Sequence, residues 1–253
     1  MEDIRTDQGA AEDASQAKPP KAAGEHAMPK WETDARARLR TGLHHFQKPL
    51  ADLLQRDVNE ADTRLFVTDF LCEVLSFDKY ADLTSEYPVK GECVDYSLHL
   101  DKEIVAFVEI KRVNMNLSPK HLRQAQTYAV NEGVEWLILT NGSQWQLYHL
   151  SGGLPIITDL VLEADLLSDQ PPHVKVESFF YLTKESVKRG KLDDLWQAQR
   201  ATSPKSFARV LLSPTVLNAI RKELRRLTGF RVDNEEIARL LTEHCIRPEC
   251  FVK

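Results

Sequence analysis

Apolar and polar positions alternate along Cys93 to Leu100 and again along Ile104 to Lys111, with the polar turn Asp101-Lys102-Glu103 between them, which predicts a β-hairpin. Pairing Leu100 with Ile104 sets Leu98 against Ala106, Tyr96 against Val108 and Val94 against Ile110, one continuous core face. Asp95 then stands opposite Glu109, and Lys111 lies two residues along on the same face. Helical spacing follows over residues 118–132: Ser118 starts the turn, Pro119 suits its first position, Leu122, Ala125, Ala129 and Val130 form the stripe, and Gly133 ends it. Two further strands, Glu135 to Thr140 and Gln144 to Leu150, flank Asn141-Gly142, a strong hairpin signal.

Around this centre the pattern predicts helices over Thr33 to Arg56 and Asn59 to Phe77, with a loop from Lys79 to Lys90. Leu154 to Asp169 has no clear period. Pro171-Pro172 marks a break before a short strand-like run around Val174 to Leu182. Ser213-Pro214 opens a helix whose stripe is Val216, Leu217, Ile220, Leu224 and Leu227, closed by Gly229. Asp233 to Glu236 reads as a further helix start before Ile237, Leu240 and Leu241. The expected organisation is a disordered tail over 1–31, an α/β domain over 32–182 and a basic helical region over 183–253. No internal repeat is present.

Composition narrows the class. A chain of 253 residues, 42% hydrophobic and 28% charged, can bury a substantial core. Residues 1–31 are Ala-, acid- and Pro-containing with almost nothing to bury, and no apolar run reaches the length of a bilayer. No secretory leader is expected, so the expected location is the cytoplasm, with no membrane partner. Cys72, Cys93, Cys245 and Cys250 lack paired spacing and read as reduced, packed thiols. The formal charge is −5, yet Lys184 to Arg231 concentrates basic residues, among them Arg221, Lys222, Arg225 and Arg226. Such a region either meets a phosphate backbone or is a solvated helix face.

The predicted hairpin raises a chemical question. Two facing carboxylates repel, so truncating one is expected to leave stability unchanged or raised. A divalent cation is a natural counter-charge, since Mg²⁺ takes one or two carboxylates and keeps waters for substrate phosphate. An ammonium at Lys111 can offset charge building on a phosphoryl group. The bland alternative is an exposed strand face on which Lys111 neutralises its neighbours. Gln124 and Tyr128, one turn apart, share a helix face with Lys120 beside them.

The segments Val94-Asp95-Tyr96, Val108-Glu109-Ile110-Lys111, Gln124-Ala125-Gln126-Thr127-Tyr128-Ala129 and Trp136 to Trp145 together resemble the nuclease domain at the N-terminus of type I restriction enzyme R subunits, of the PD-(D/E)xK superfamily. The resemblance spans roughly residues 59 to 150. It implies an α/β fold, a mixed central sheet flanked by helices, here with an α-helical C-terminal extension. It implies that Asp95 and Glu109 bind Mg²⁺ or Mn²⁺, that Lys111 is catalytic, and that Gln124 and Tyr128 support the site and contact DNA, with Lys120 beside them. Glu60 matches an acidic residue of the preceding helix, and would be a third metal ligand. Its other reading is a first-turn carboxylate after Asn59 as N-cap, partnered by Arg64. One departure is Val94, where the superfamily often has proline.

No Gly-x-x-x-x-Gly-Lys-[Ser/Thr] loop occurs, so neither ATP binding nor ATP-driven translocation is expected. The expected function is a stand-alone metal-dependent DNA endonuclease of restriction or defence type, with DNA as partner and room for a homo-oligomer or a restriction-system partner. The alternative is a catalytically silent nucleic-acid-binding or partner-docking module that keeps the fold.

Overall fold

A computed structural model describes residues 28–89, 92–151 and 156–251. Its centre is a six-stranded mixed sheet in sequential order, Leu83–Val89 (β1), Glu92–Leu100 (β2), Glu103–Ile110 (β3), Trp136–Thr140 (β4), Gln144–Ser151 (β5) and Ile157–Asp165 (β6). Lys30–Arg56 (α1) and Glu60–Asp69 (α2) precede the sheet, and Arg123–Glu132 (α3) connects β3 to β4. That crossover makes β3 and β4 the one parallel pair of this sheet. After β6 come Pro172–Phe180 (α4), Lys184–Val187 (α5), Lys191–Thr202 (α6), Pro204–Leu211 (α7), Pro214–Thr228 (α8) and Asn234–Leu240 (α9).

Both sheet faces are covered. Leu39, Leu50, Phe66, Phe70 and Phe179 from α1, α2, its π-helical continuation Phe70–Val74 and α4 pack with Leu98, Val108, Ile138 and Trp145 on one face. Leu122, Ala125 and Ala129 at α3 pack with Phe107, Leu137 and Leu139 on the other. Strand β4 is accordingly buried at every position from Trp136 to Thr140. Helix α1 begins at Lys30, before Thr33, and Trp31 stacks on Phe180 of α4 at 5.8 Å. Residues 1–27 of the expected tail lie outside the described residues.

The central hairpin keeps the register expected from its alternation at Tyr96↔Val108 and Leu98↔Ala106. Beyond Leu98 a bulge shifts the pairing to His99↔Ile104 and Leu100↔Glu103, so Leu100 does not pair with Ile104. The turn is therefore Asp101-Lys102, both at positive φ (50° and 76°), a two-residue form whose twist matches that of the strands. Val94 is also displaced from expectation, since it packs on the α3 side and not with Ile110. The β1–β2 pairing is interrupted opposite Asp95, at Glu86 with φ 50°.

Two segments differ from the sequence pattern in type. The expected loop over 79–90 contains β1, an edge strand, the place in a sheet where a proline such as Pro88 is tolerated. The expected strand over Val174 to Leu182 is instead α4 as far as Phe180, followed by a turn, with Pro172 in the first turn of the helix and Val176, Phe179 and Phe180 buried at helical spacing. Short apolar runs serve either structure. The segment without clear period contains β6. All four cysteines are free, with Cys93 and Cys245 exposed instead of packed.

The helix starts at Asn59, Ser213 and Asp233 stand as expected: the Asn59 side chain accepts the Asp62 N–H at 2.9 Å, and Asp233 accepts the Glu236 N–H at 2.8 Å. The stripe of α8 is only partly buried. Leu217 is enclosed while Leu227 is 66% exposed, because α8 packs on its small neighbours α7 and α9.

Gly142, at φ 87°, turns β4 into β5 beneath α1 and α2. A Cβ there would meet Phe66 Cδ1 at 3.3 Å and Leu50 Cδ1 at 3.4 Å. Gly142→Ala is expected to lower the unfolding free energy by about 1–2 kcal/mol. Urea denaturation with an unchanged midpoint would show that the turn relaxes without strain.

Candidate active site

The end of β3 is tied to the corner between α1 and α2. The Val113 N–H donates to Thr63 Oγ1 at 3.1 Å, and Arg112 and Asn114 donate to Asp57 at 2.7 and 2.6 Å. On the sheet side the Lys111 N–H donates to the Thr140 carbonyl at 2.8 Å, extending the parallel β3–β4 ladder. These bonds bring the first turn of α2 to the end of β3, and the β2–β3 ladder sets the middle of β2 beside them. Five acidic and basic groups of the sequence reading, Glu60, Arg64, Asp95, Glu109 and Lys111, meet there.

Lys111 Nζ donates to Glu109 Oε1 at 2.6 Å and lies 3.9 Å from Glu60 Oε2. Both Glu109 and Lys111 are largely enclosed, with 12% and 17% of their side chains exposed. Burial raises the Glu109 pKa and the charges of Asp95 and Glu60 raise it further, against the lowering pull of Lys111. Burial by itself would lower the Lys111 pKa, but its hydrogen bond to Glu109 and the nearby carboxylates outweigh that, and it is raised. Lys111 is therefore a fixed cation at neutral pH.

Asp95 is buried and doubly held: Oδ2 accepts the Ile110 N–H at 2.7 Å and Oδ1 takes the Arg64 guanidinium. Arg64 reaches on to Glu86 at 3.2 Å, while its Nε is buried without a partner. Arg64 thus pairs with Asp95 and Glu86, not with Glu60, which faces Lys111 instead. Sequence reading did not single out Glu86, because it lies on the segment read as a loop. The helical step from Glu60 to Arg64 was the available signal that both could face the sheet.

Three carboxylates, Asp95, Glu109 and Glu60, influence one another here and are met by Lys111 and Arg64. Among the described residues no three His, Cys, Asp or Glu side chains are already drawn together tightly enough to enclose a metal ion. Hard oxygen donors of surplus negative charge nonetheless suit Mg²⁺ or Mn²⁺.

The remaining candidates are distributed differently. Gln124 stands in the first turn of α3, and its side chain lies outside the described residues. Tyr128 is buried in the cluster on the α3 face of the sheet. Lys120 is exposed on the short turn Pro119–Leu122 that leads into α3. Arg221, Lys222, Arg225 and Arg226 lie on α8, whose packing partners are α7 and α9, and Arg226 is paired with Glu223. Among the described residues no helix is long and apolar enough to cross a membrane.

No curated protein and no solved structure matches the chain. Residues 59–158 match the family model described as type I restriction enzyme R protein N terminus (HSDR_N). The match runs from the N-cap of α2 into β6 and contains Glu60, Asp95, Glu109, Lys111, Gln124 and Tyr128. Residues 59–158 are therefore a domain of the type I restriction enzyme R protein N-terminal family, related to the restriction enzymes.

Proposed function

We propose that this chain is a divalent-metal-dependent DNA endonuclease of restriction or defence type, working at Asp95, Glu109 and Lys111. The observation that carries the reading is the meeting of Lys111 with Glu109 and Glu60 at the end of β3, beside buried Asp95, inside a domain of restriction-enzyme kinship. Asp95 and Glu109 would hold Mg²⁺ or Mn²⁺, with Glu60 at the rim. When bound, the ion would polarise a phosphoryl oxygen and make a water a stronger nucleophile at neutral pH.

The chain's own groups have distinct tasks in this reading. The Ile110 N–H and Arg64 orient the Asp95 carboxylate. Lys111, kept protonated by its carboxylate neighbours, turns from Glu109 to a phosphoryl oxygen and offsets the charge that builds there. Gln124 and Tyr128, from α3, would support the site from that side of the sheet, with Lys120 near the DNA backbone. A second reading, a silent nucleic-acid-binding module, draws on the ion pairs that already engage Asp95 and Glu109.

One experiment separates the two. Supercoiled and linear DNA are incubated with purified protein in Mg²⁺, in Mn²⁺ and in chelator. The nuclease reading expects nicked or linear product with either metal and none in chelator. Binding without cleavage in all three would leave the second reading standing.

The basic helix α8 is proposed to contact phosphates. Among the described residues Arg221, Lys222 and Arg225 have no ion-pair partner, whereas Arg226 is engaged by Glu223. Changing the four to Gln is expected to make the slope of log affinity against log salt shallower by about 0.9 for each lost duplex contact. Sequence preference should hardly move. A slope unaltered in filter-binding titrations would assign α8 to packing alone.

A further inference from the structure

We infer that the cleft between α1 and α4 is a binding site for a small amphiphile with an anionic head group. The cleft has a volume of about 510 Å³, the size of a small-molecule site. Buried Leu43 and Val176 line it, together with Arg40, His44 and Gln47 from α1 and Lys175 from α4. Among the described residues no acidic one lines it.

Lys175 carries the argument. It is 7% exposed, and its ammonium donates to the Leu166 carbonyl at 3.0 Å. The Gln47 amide donates to that same carbonyl at 3.3 Å. Among the described residues no carboxylate pairs with Lys175. An ammonium has three donors and a full charge, and a single shared carbonyl answers neither in full. A buried cation without a counter-charge is unfavourable unless something supplies one. Were the side chain present only to satisfy Leu166, the neutral amide of Gln47 already does so.

The surroundings strengthen the positive field. Arg40 has no ion-pair partner among the described residues and stands in the same cleft. Pro172, in the first turn of the nine-residue α4, also lines it, so the positive end of that helix faces the cleft. Leu43 and Val176 provide apolar surface beside these charges. The chemistry therefore calls for one carboxylate or phosphate on a short aliphatic body. The site lies on α1 and α4 and uses none of Asp95, Glu109, Lys111, Glu60 or Arg64, so it stands apart from any nuclease activity.

The test uses the full chain and four probes with the same eight-carbon body: octanoate, octyl phosphate, 1-octanol and octylamine. Thermal unfolding and calorimetry are expected to show stabilisation and saturable binding with octanoate or octyl phosphate, their ranking telling carboxylate from phosphate recognition. Octanol and octylamine should bind at least tenfold more weakly. Lys175→Met keeps an unbranched side chain one atom shorter and removes the charge. It should fold with unchanged or raised thermal stability and weaken the anionic probe about ten- to a hundredfold, the loss of a charged hydrogen bond. Should that variant not fold, Arg40→Gln, at an exposed position, is read in its place and should weaken the same probe. Equal binding of all four probes, no binding of either anion, or an anionic probe indifferent to the substituted lysine or arginine would overturn the inference.

Discussion

Glu109→Gln is expected to abolish metal-dependent DNA cleavage while leaving the protein folded. Glu109 is enclosed at the end of β3 and its pKa is raised, first by burial and then by the charges of Asp95 and Glu60. A neutral amide of the same shape removes the charge that burial penalises and keeps an oxygen for Lys111 to donate to. Metal affinity is a different matter, because the ion would lose one of its two principal anionic ligands. Calorimetry with Mg²⁺ and Mn²⁺ should therefore show weakened binding in Glu109→Gln and none in the Asp95→Asn/Glu109→Gln double variant. Unchanged affinity in the double variant would move the metal away from this hairpin.

Truncation at Asp95 should behave otherwise. From the strand pattern alone, removing one of two facing carboxylates relieves repulsion. In the structure Asp95 accepts the Ile110 N–H and the Arg64 guanidinium, so Asp95→Ala leaves the buried Ile110 N–H unmatched and Arg64 with Glu86 alone. A loss of about 1–3 kcal/mol is expected. Asp95→Asn, which retains an acceptor, is the better variant for separating chemistry from folding.

The second large effect belongs to Lys111. Lys111→Met should cut turnover by ~10² to 10³, the loss of one preorganised electrostatic contact in the transition state. Metal affinity should hold or rise, because Glu109 and Glu60 lose the cation that competes for them. Single-turnover cleavage at saturating metal reads the first, calorimetry the second. A variant that cleaves at the wild-type rate would make Lys111 a structural partner of Glu109 and nothing more.

The two-residue period of Cys93 to Lys111 determined by itself that Tyr96, Leu98, Ala106 and Val108 form a core face, since a one-residue slip would bury the polar set. Asn59, Ser213, Asp233, Gly133 and Gly229 likewise marked helix ends without help, because capping is chemistry between residues a few positions apart. The motifs of residues 94–145 were enough to identify the family that the match over 59–158 bears out. What sequence did not determine depended on partners distant along the chain. Val174 to Phe180 is helical because the α1 face and the sheet accept Val176 and Phe179 there, and β1 is a strand because β2 offers it an edge. At the site, local spacing offered Glu60 to Arg64. Tertiary structure gave Arg64 to Asp95 and Glu60 to Lys111, because the corner of α1 and α2 is stapled to the end of β3 by bonds some 50 residues apart along the chain. Charge pairing of that kind is set by which elements are brought into contact, and only packing decides that.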